Sequence, residues 1–211
     1  MVIEQPSDLG QIVVLNGAPR AGKSSIAVAI QESFDGVWLN LGVDAWIDPV
    51  TPKRYRPGIG LRPGEDGADP EGLIPVMYAG LYESIAAQSR LGLNVVVDVG
   101  HHVEETLVDC ARRLDGLPAL FVGVLCPIDV IMERRNAGQA GREGRYAVGT
   151  SEDPIPAPVQ RWQDVVHVPG IYDLEVDTSV MSAEECAGAI RRRLVEGPPA
   201  SAFRELAARG S

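Results

Sequence analysis

Between a short apolar run, Ile12 to Leu15, and a helix-forming stretch, Ser25 to Ile30, stands Gly17-Ala18-Pro19-Arg20-Ala21-Gly22-Lys23-Ser24. The octapeptide satisfies GxxxxGK[ST] at every fixed position, and strand before, helix after is the context in which that spacing wraps backbone around phosphate. Its glycines admit close approach of phosphate oxygens, successive N–H groups point inward, and the helix N-terminus adds a favourable field. Lys23 is then placed to neutralise the β and γ phosphates and the Ser24 hydroxyl to ligate Mg²⁺. Gly17, Ala18, Pro19, Arg20, Ala21, Gly22, Lys23, Ser24 and Ser25 form the expected phosphate-binding set. The competing reading is a glycine-rich turn that binds nothing. Chance produces the pattern in on the order of one per cent of chains this long. A chain with only two lysines, Lys23 and Lys53, against seventeen arginines produces it less often still.

A strand and helix around a P-loop call for more of the same, and the chain supplies them. Short apolar runs at Val37 to Leu41, Leu93 to Val97, Ala119 to Leu125 and Ile171 to Val176 complete a set of five with the first. Three are nearly continuous Val, Ile and Leu, as parallel strands covered on both faces require, so the class is α/β. Ile74, Met77, Tyr78, Leu81, Tyr82 and Ile85 fall at helical spacing; Pro127 opens another helix, and a further one is expected from Pro158 to Val168. A chain of 211 residues suits one domain, here 1–196. It is interrupted by an insertion at 49–71 and a Gly- and Arg-rich lid at 137–155, and residues 197–211 read as a tail with a helical turn at Phe203 and Leu206.

Charge and cysteine usage narrow the class of partner. A formal net charge of −10 argues against nucleic acid or anionic membrane as a bulk ligand. Cys110, Cys126 and Cys186 are odd in number and far apart, which suits reduced thiols engaged in packing. The opening residues carry acids and a proline, and no apolar run approaches a membrane span, so the expectation is a cytoplasmic protein.

Asp98 ends the third apolar run, the place of a carboxylate that holds Mg²⁺ with Ser24, although an aspartate there would also cap the next helix. With no lysine outside Lys23 and Lys53 there is no Asn-Lys-x-Asp guanine motif, and adenine is the expected base. Asp44, directly after the second strand, lies where open α/β sheets bind ligands and is the candidate base for an acceptor hydroxyl. Its bland role is as N-cap for a turn from Ala45 to Ile47; Asp48 stands one turn further on. Arg134, Arg135, Arg142 and Arg145 gather after the fourth strand. Arg142 and Arg145, among glycines, suit a mobile lid that closes on the transferring phosphoryl, or else a solvated basic loop. Tyr55, Trp46, Tyr78, Tyr82, Trp162 and Val166 are candidates to line an acceptor pocket, with core packing as the alternative for each. His101 and His102 suit either substrate contact or solvation, and His167 either the site or a helix C-terminus.

Asn16-Gly17, Ala21-Gly22-Lys23-Ser24-Ser25, Gly42-Val43-Asp44 with Asp48, Arg142-Glu143-Gly144-Arg145 and Tyr172-Asp173-Leu174-Glu175-Val176-Asp177-Thr178 together resemble the chloramphenicol phosphotransferase family, from about Gln11 to Ile190. The resemblance implies a fold like that of shikimate and adenylate kinases, with ATP and Mg²⁺ used to phosphorylate a primary hydroxyl of the antibiotic. It implies Asp44 as general base, Arg142 and Arg145 as lid arginines, and Asp177, Thr178 and Ser179 near the adenine. After Asp98, where the family tends to carry a second acid, this chain has Val99, Gly100, His101 and His102.

The expected architecture is a P-loop NTPase with a five-stranded parallel sheet, order 2-3-1-4-5. The expected activity is an ATP-dependent O-phosphotransferase acting on a small hydroxylated molecule. Lys53, Arg54, Arg56 and Arg62 in the insertion point instead to another antibiotic or metabolite as acceptor. A non-catalytic module whose lid is gated by ATP is the alternative outside enzymology. Exposed apolar helix faces would suit a homo-oligomer, with no symmetry specified.

Overall fold

A computed structural model describes residues 8–50, 73–138 and 146–209. Five strands, β1 (Ile12–Asn16), β2 (Trp38–Asn40), β3 (Asn94–Val99), β4 (Ala119–Leu125) and β5 (Leu174–Asp177), form one parallel sheet in the order β2-β3-β1-β4-β5, as the sequence led us to expect. The central strand β1 is buried along its whole length, which is why it reads as unbroken apolar sequence.

Alternation along β1 sorts the core into two layers. Val13 and Leu15 pack with α1 (Lys23–Ser33), α5 (Ile128–Asn136), α6 (Ala157–Val165) and α7 (Ala183–Glu196). Ile12 and Val14 face α3 (Leu73–Arg90), α4 (Glu104–Leu114) and α8 (Ala202–Arg209). Each such side chain, fully withdrawn from water, contributes about 1.5–3 kcal/mol.

Three helices differ from expectation in extent or start. The long helix marked by Ile74 to Ile85 continues to Arg90, and the helix expected from Pro158 begins one residue earlier and ends at Val165. The turn expected at Ala45 is a full helix, α2 (Val43–Val50), whose first turn closes with Trp46 N–H donating to Gly42 O at 3.0 Å. Asp44 therefore sits inside the first turn and is not its N-cap. The segment expected as a tail carries α8, whose Ala202, Phe203 and Leu206 are buried. It packs along α4, closing a face of the second layer that the first 196 residues leave uncovered. No helix among the described residues is long and apolar enough to cross a membrane.

Candidate active site

The P-loop joins β1 to α1 at the C-terminal edge of the sheet, and two of its residues, Arg20 (φ 76°) and Gly22 (φ 96°), lie in the left-handed region. Such positions cost strain in a non-glycine residue and persist where the surroundings hold them. The Arg20 guanidinium donates to Arg134 O and Gly138 O, binding the loop to the end of α5. Lys23 is buried; its ammonium donates to Gly17 O at 2.9 Å and Ala18 O at 3.0 Å, and lies 3.5 Å from Asp98 Oδ1. The Ser24 hydroxyl donates to Asp98 Oδ2. Asp98 is opposite Leu15 in the β1–β3 register, so the strand pairing itself delivers this carboxylate to the P-loop. Ser24 and Asp98 thus converge two hard oxygen donors at one point, a donor set that suits Mg²⁺ beside a phosphate.

A cleft of about 460 Å³ opens over this point. Gly17, Pro19, Arg20 and the turn from Gly22 to Ser25 line its floor, and Asp44 stands on its wall with Val43, Tyr78, Gly100 and Trp162. Close packing puts Asp44 there. A Cβ at Gly42 would lie 3.0 Å from the Asp98 Cβ, tighter than ordinary packing, so glycine eases the close approach of the start of α2 to the end of β3.

The opposite end of the cleft is built by α5 and the segment after β5. Arg134 donates to Thr178 O at 2.7 Å and Thr178 Oγ1 at 3.1 Å, and Thr178 Oγ1 donates to Ala21 O at 2.7 Å. Both Arg134 and Thr178 line the cleft. Arg135, one residue on, turns into the interior, donates to Ala147 O at 3.1 Å and lies over the Tyr146 ring. Asp177 does not line the cleft: its Oδ1 accepts from Ser179 N–H and Oγ–H, and these bonds hold its carboxyl below the ordinary range. Ala18 and Ala21 are buried beneath the loop. Tyr146, Met181 and Ser182, which no motif in the sequence assigns to the cleft, also line it.

The aromatic and histidine candidates separate. Tyr78 and Trp162 face the cleft, whereas Tyr82 and Val166 belong to the core and Trp46 packs near Gly80 of α3. His102 stacks on Trp162 with centroids 4.7 Å apart. His101 is buried, and desolvation, aided by His102, lowers it to about 3. His167 is also lowered, by burial first and then by the Lys23 ammonium. Cys110, Cys126 and Cys186 are free and buried. Arg142, Arg145, Lys53, Arg54, Tyr55, Arg56, Arg62 and the side chain of Asp48 lie outside the described residues.

Known proteins resemble this chain along most of its length. A family model described as chloramphenicol phosphotransferase-like protein matches residues 10–195. A protein of Mycobacterium tuberculosis, provisionally named an O-phosphotransferase, is 26% identical over 210 residues, spanning 93% of this chain and 88% of that one. Among solved structures, the Mycobacterium tuberculosis APS kinase in complex with AMPPNP and APS superposes with a TM-score of 0.61 at 18% identity, covering 90% of this chain and 99% of that chain. The Deinococcus radiodurans tunicamycin resistance protein gives 0.56 at 16% identity, covering 90% and 98%. Shikimate kinase from Acinetobacter baumannii in complex with shikimate gives 0.53 at 11% identity, covering 88% and 93%. These structures share the P-loop kinase fold.

Proposed function

The chain belongs to the chloramphenicol phosphotransferase-like family, a family of small-molecule phosphotransferases, and from that premise we propose that it transfers the γ-phosphoryl group of ATP to a hydroxyl of a small molecule of which chloramphenicol is the model. The observation that carries this reading is the meeting of Lys23, Ser24, Asp98 and Asp44 around one cleft.

In this reading the backbone N–H groups of the P-loop and the Lys23 ammonium hold the β and γ phosphates. Ser24 and Asp98 would hold Mg²⁺, which when bound neutralises charge on those phosphates. Asp44 accepts the proton of the acceptor hydroxyl as its oxygen bonds to the γ-phosphorus; the bond from that phosphorus to the β–γ bridging oxygen breaks and ADP leaves with the electron pair. Arg134, braced on Thr178, steadies the nucleotide end of the cleft, and Arg142 and Arg145 are assigned to the transferring group. Because this is mainly positioning and electrostatics, the nearly buried aromatic wall of Tyr78 and Trp162 contributes by excluding water from the acceptor side.

Mass spectrometry of chloramphenicol and a panel of hydroxylated compounds incubated with ATP and Mg²⁺ tests the proposal, with an 80-dalton gain on one acceptor, the mass of HPO₃, as the expected result. Asp44→Asn should retain ATP affinity while losing about 10²–10⁴-fold in transfer rate. ATP binding without transfer to any acceptor would refute the enzymatic reading in favour of an ATP-gated module.

A further inference from the structure

Five uncharged side chains form a hydrogen-bonded line beneath the P-loop that the reaction scheme above leaves unused. At its centre is Asn16, the last residue of β1 and the one before Gly17. Two backbone groups set its amide: Oδ1 accepts from His101 N–H at 2.8 Å, and Nδ2 donates to Val166 O at 2.8 Å. With that orientation fixed, the proton of His101 is fixed too. Asn16 Oδ1 accepts only, so His101 Nδ1, 3.2 Å away, carries the proton. His101 Nε2 is then an acceptor and receives the Tyr82 hydroxyl proton across 2.7 Å. On the other side Asn16 Nδ2 also donates to Tyr172 Oη at 2.7 Å. The Tyr172 hydroxyl has two acceptors in reach, His167 Nδ1 at 2.8 Å and Val166 O at 3.4 Å; the nearer one takes its proton, which puts the proton of His167 on Nε2.

The line ties together the parts that must keep register in the cleft. Tyr82 is on α3, the helix that presents Tyr78 to the cleft, and Val166 and His167 follow α6, which presents Trp162. Tyr172 precedes β5 and its ring rests on Gly123 of β4 and beside Phe121, so the hydroxyl is held from below. Asn16 is where the α6 wall of the acceptor side is joined to the phosphate cradle, with Tyr82 of α3 attached only through His101.

We infer that the Asn16–Tyr172–His167 arm of this line is a positioning device for phosphoryl transfer that holds the P-loop in register with the end of α6 while keeping His167 in the Nε2–H tautomer. The inference rests on the phosphotransferase reading of the cleft. The two ends of the line have unequal weight. Removing the Tyr172 hydroxyl unties His167 and deprives Asn16 of one of its two acceptors beside Gly17. Removing the Tyr82 hydroxyl leaves His101 held by Asn16 on both its backbone N–H and Nδ1, so the cradle keeps its register.

Tyr172→Phe and Tyr82→Phe each delete one hydroxyl at a packed ring, which makes them matched probes. Tyr172→Phe should lower kcat about tenfold or more with KM for ATP nearly unchanged, and Tyr82→Phe should stay within about twofold of the parent on both. The chain has only three histidines, so long-range nitrogen–proton NMR can read each tautomer in the unmodified protein without any variant. His167 is expected as Nε2–H and His101 as Nδ1–H, and in Tyr172→Phe the His167 signal alone should move toward a tautomer mixture. A native His167 protonated on Nδ1, an unchanged kcat in Tyr172→Phe, or equal losses in the two variants would each overturn the inference. If the parent protein phosphorylates no acceptor, the reading of the cleft fails separately; the same kcat comparison is then made on phosphoryl transfer to water, with the same outcomes for and against.

Discussion

At Gly17 the limiting atom belongs to another strand: a Cβ there would lie 2.5 Å from the carbonyl oxygen of Val124 in β4. The first glycine of the motif is thus demanded by close approach to the sheet, whereas Gly22 is demanded by its positive φ. Gly17→Ala should push the P-loop off β4, costing about 1–3 kcal/mol as an overpacked site does. The expected outcome is a lower Tm together with lost ATP affinity by calorimetry; a variant with native Tm and native affinity would contradict it. Residues of this kind could be read from sequence because their chemistry is tied to a fixed local spacing: Lys23 and Ser24 to the P-loop, Asp98 and Asp44 to strand ends. Arg134 and Arg135 could not be told apart, since neighbours on a helix point about 100° apart and only tertiary packing decides which enters the cleft. Tyr146 and Met181 had no local signal, because they reach the cleft through loop geometry, and the Ser182 to Glu185 capping box marks a helix start without marking the cleft.

Among the elements, α8 is the one that composition concealed. Residues 197–211 are mostly small or polar, and two large apolar side chains at i and i+3 make a single stripe too narrow to stand out. What anchors it is outside the segment. Asp173, ahead of β5, accepts from Ser201 N–H at 2.7 Å, Ala202 N–H at 3.2 Å and Phe121 N–H at 3.0 Å, with Arg193 Nη2 at 3.7 Å. One buried carboxylate thereby caps α8 and ties it to β4, supplying the partners that helix N-termini otherwise lack. Phe203 completes the attachment with its ring 4.8 Å from that of Phe121. Phe203→Ala should therefore cost about 3–5 kcal/mol in denaturant unfolding. ATP affinity should stay near native, because α8 covers the layer away from the P-loop. A stability loss below about 1 kcal/mol would mean that α8 is not part of the cooperative core. The strands, by contrast, were readable from their apolar runs, with edges displaced by up to three residues: β1 and β3 run on to Asn16 and Val99, and β2 and β5, each paired on one side alone, start later than their apolar runs.

For the whole molecule the three histidines, His101 buried and His102 and His167 half-buried, couple folding to pH. His101 is lowered to about 3, and His102 and His167 are lowered as well, in each case with burial as the leading cause. Unfolded, all three would titrate near 6.5. Between that value and the folded one the unfolded chain binds more protons than the native chain, so stability increases with pH across the window. The contribution is fully present above 6.5 and is lost as pH falls, continuing for His101 toward 3. Each fully shifted histidine gives a slope of about 1.4 kcal/mol per pH unit. Asp177, held low by Ser179, acts in the same direction but only below the ordinary aspartate range, and at an exposed surface its share is small. Unfolding midpoints in urea should accordingly be level from pH 7.5 to about 6.5 and fall steadily toward pH 5, where carboxylates have barely begun to titrate. His102, stacked at the cleft edge, should matter less than His101, which is surrounded by Tyr82, Asn16 and Phe121. His101→Gln removes the largest titrating contribution while keeping an amide that can still meet Asn16 or Tyr82, so it should flatten the acid limb even if the protein is less stable overall. A parent protein whose midpoint is constant from pH 7.5 to 5, or a His101→Gln variant with the parent's slope, would show that these imidazoles are not held neutral by the fold.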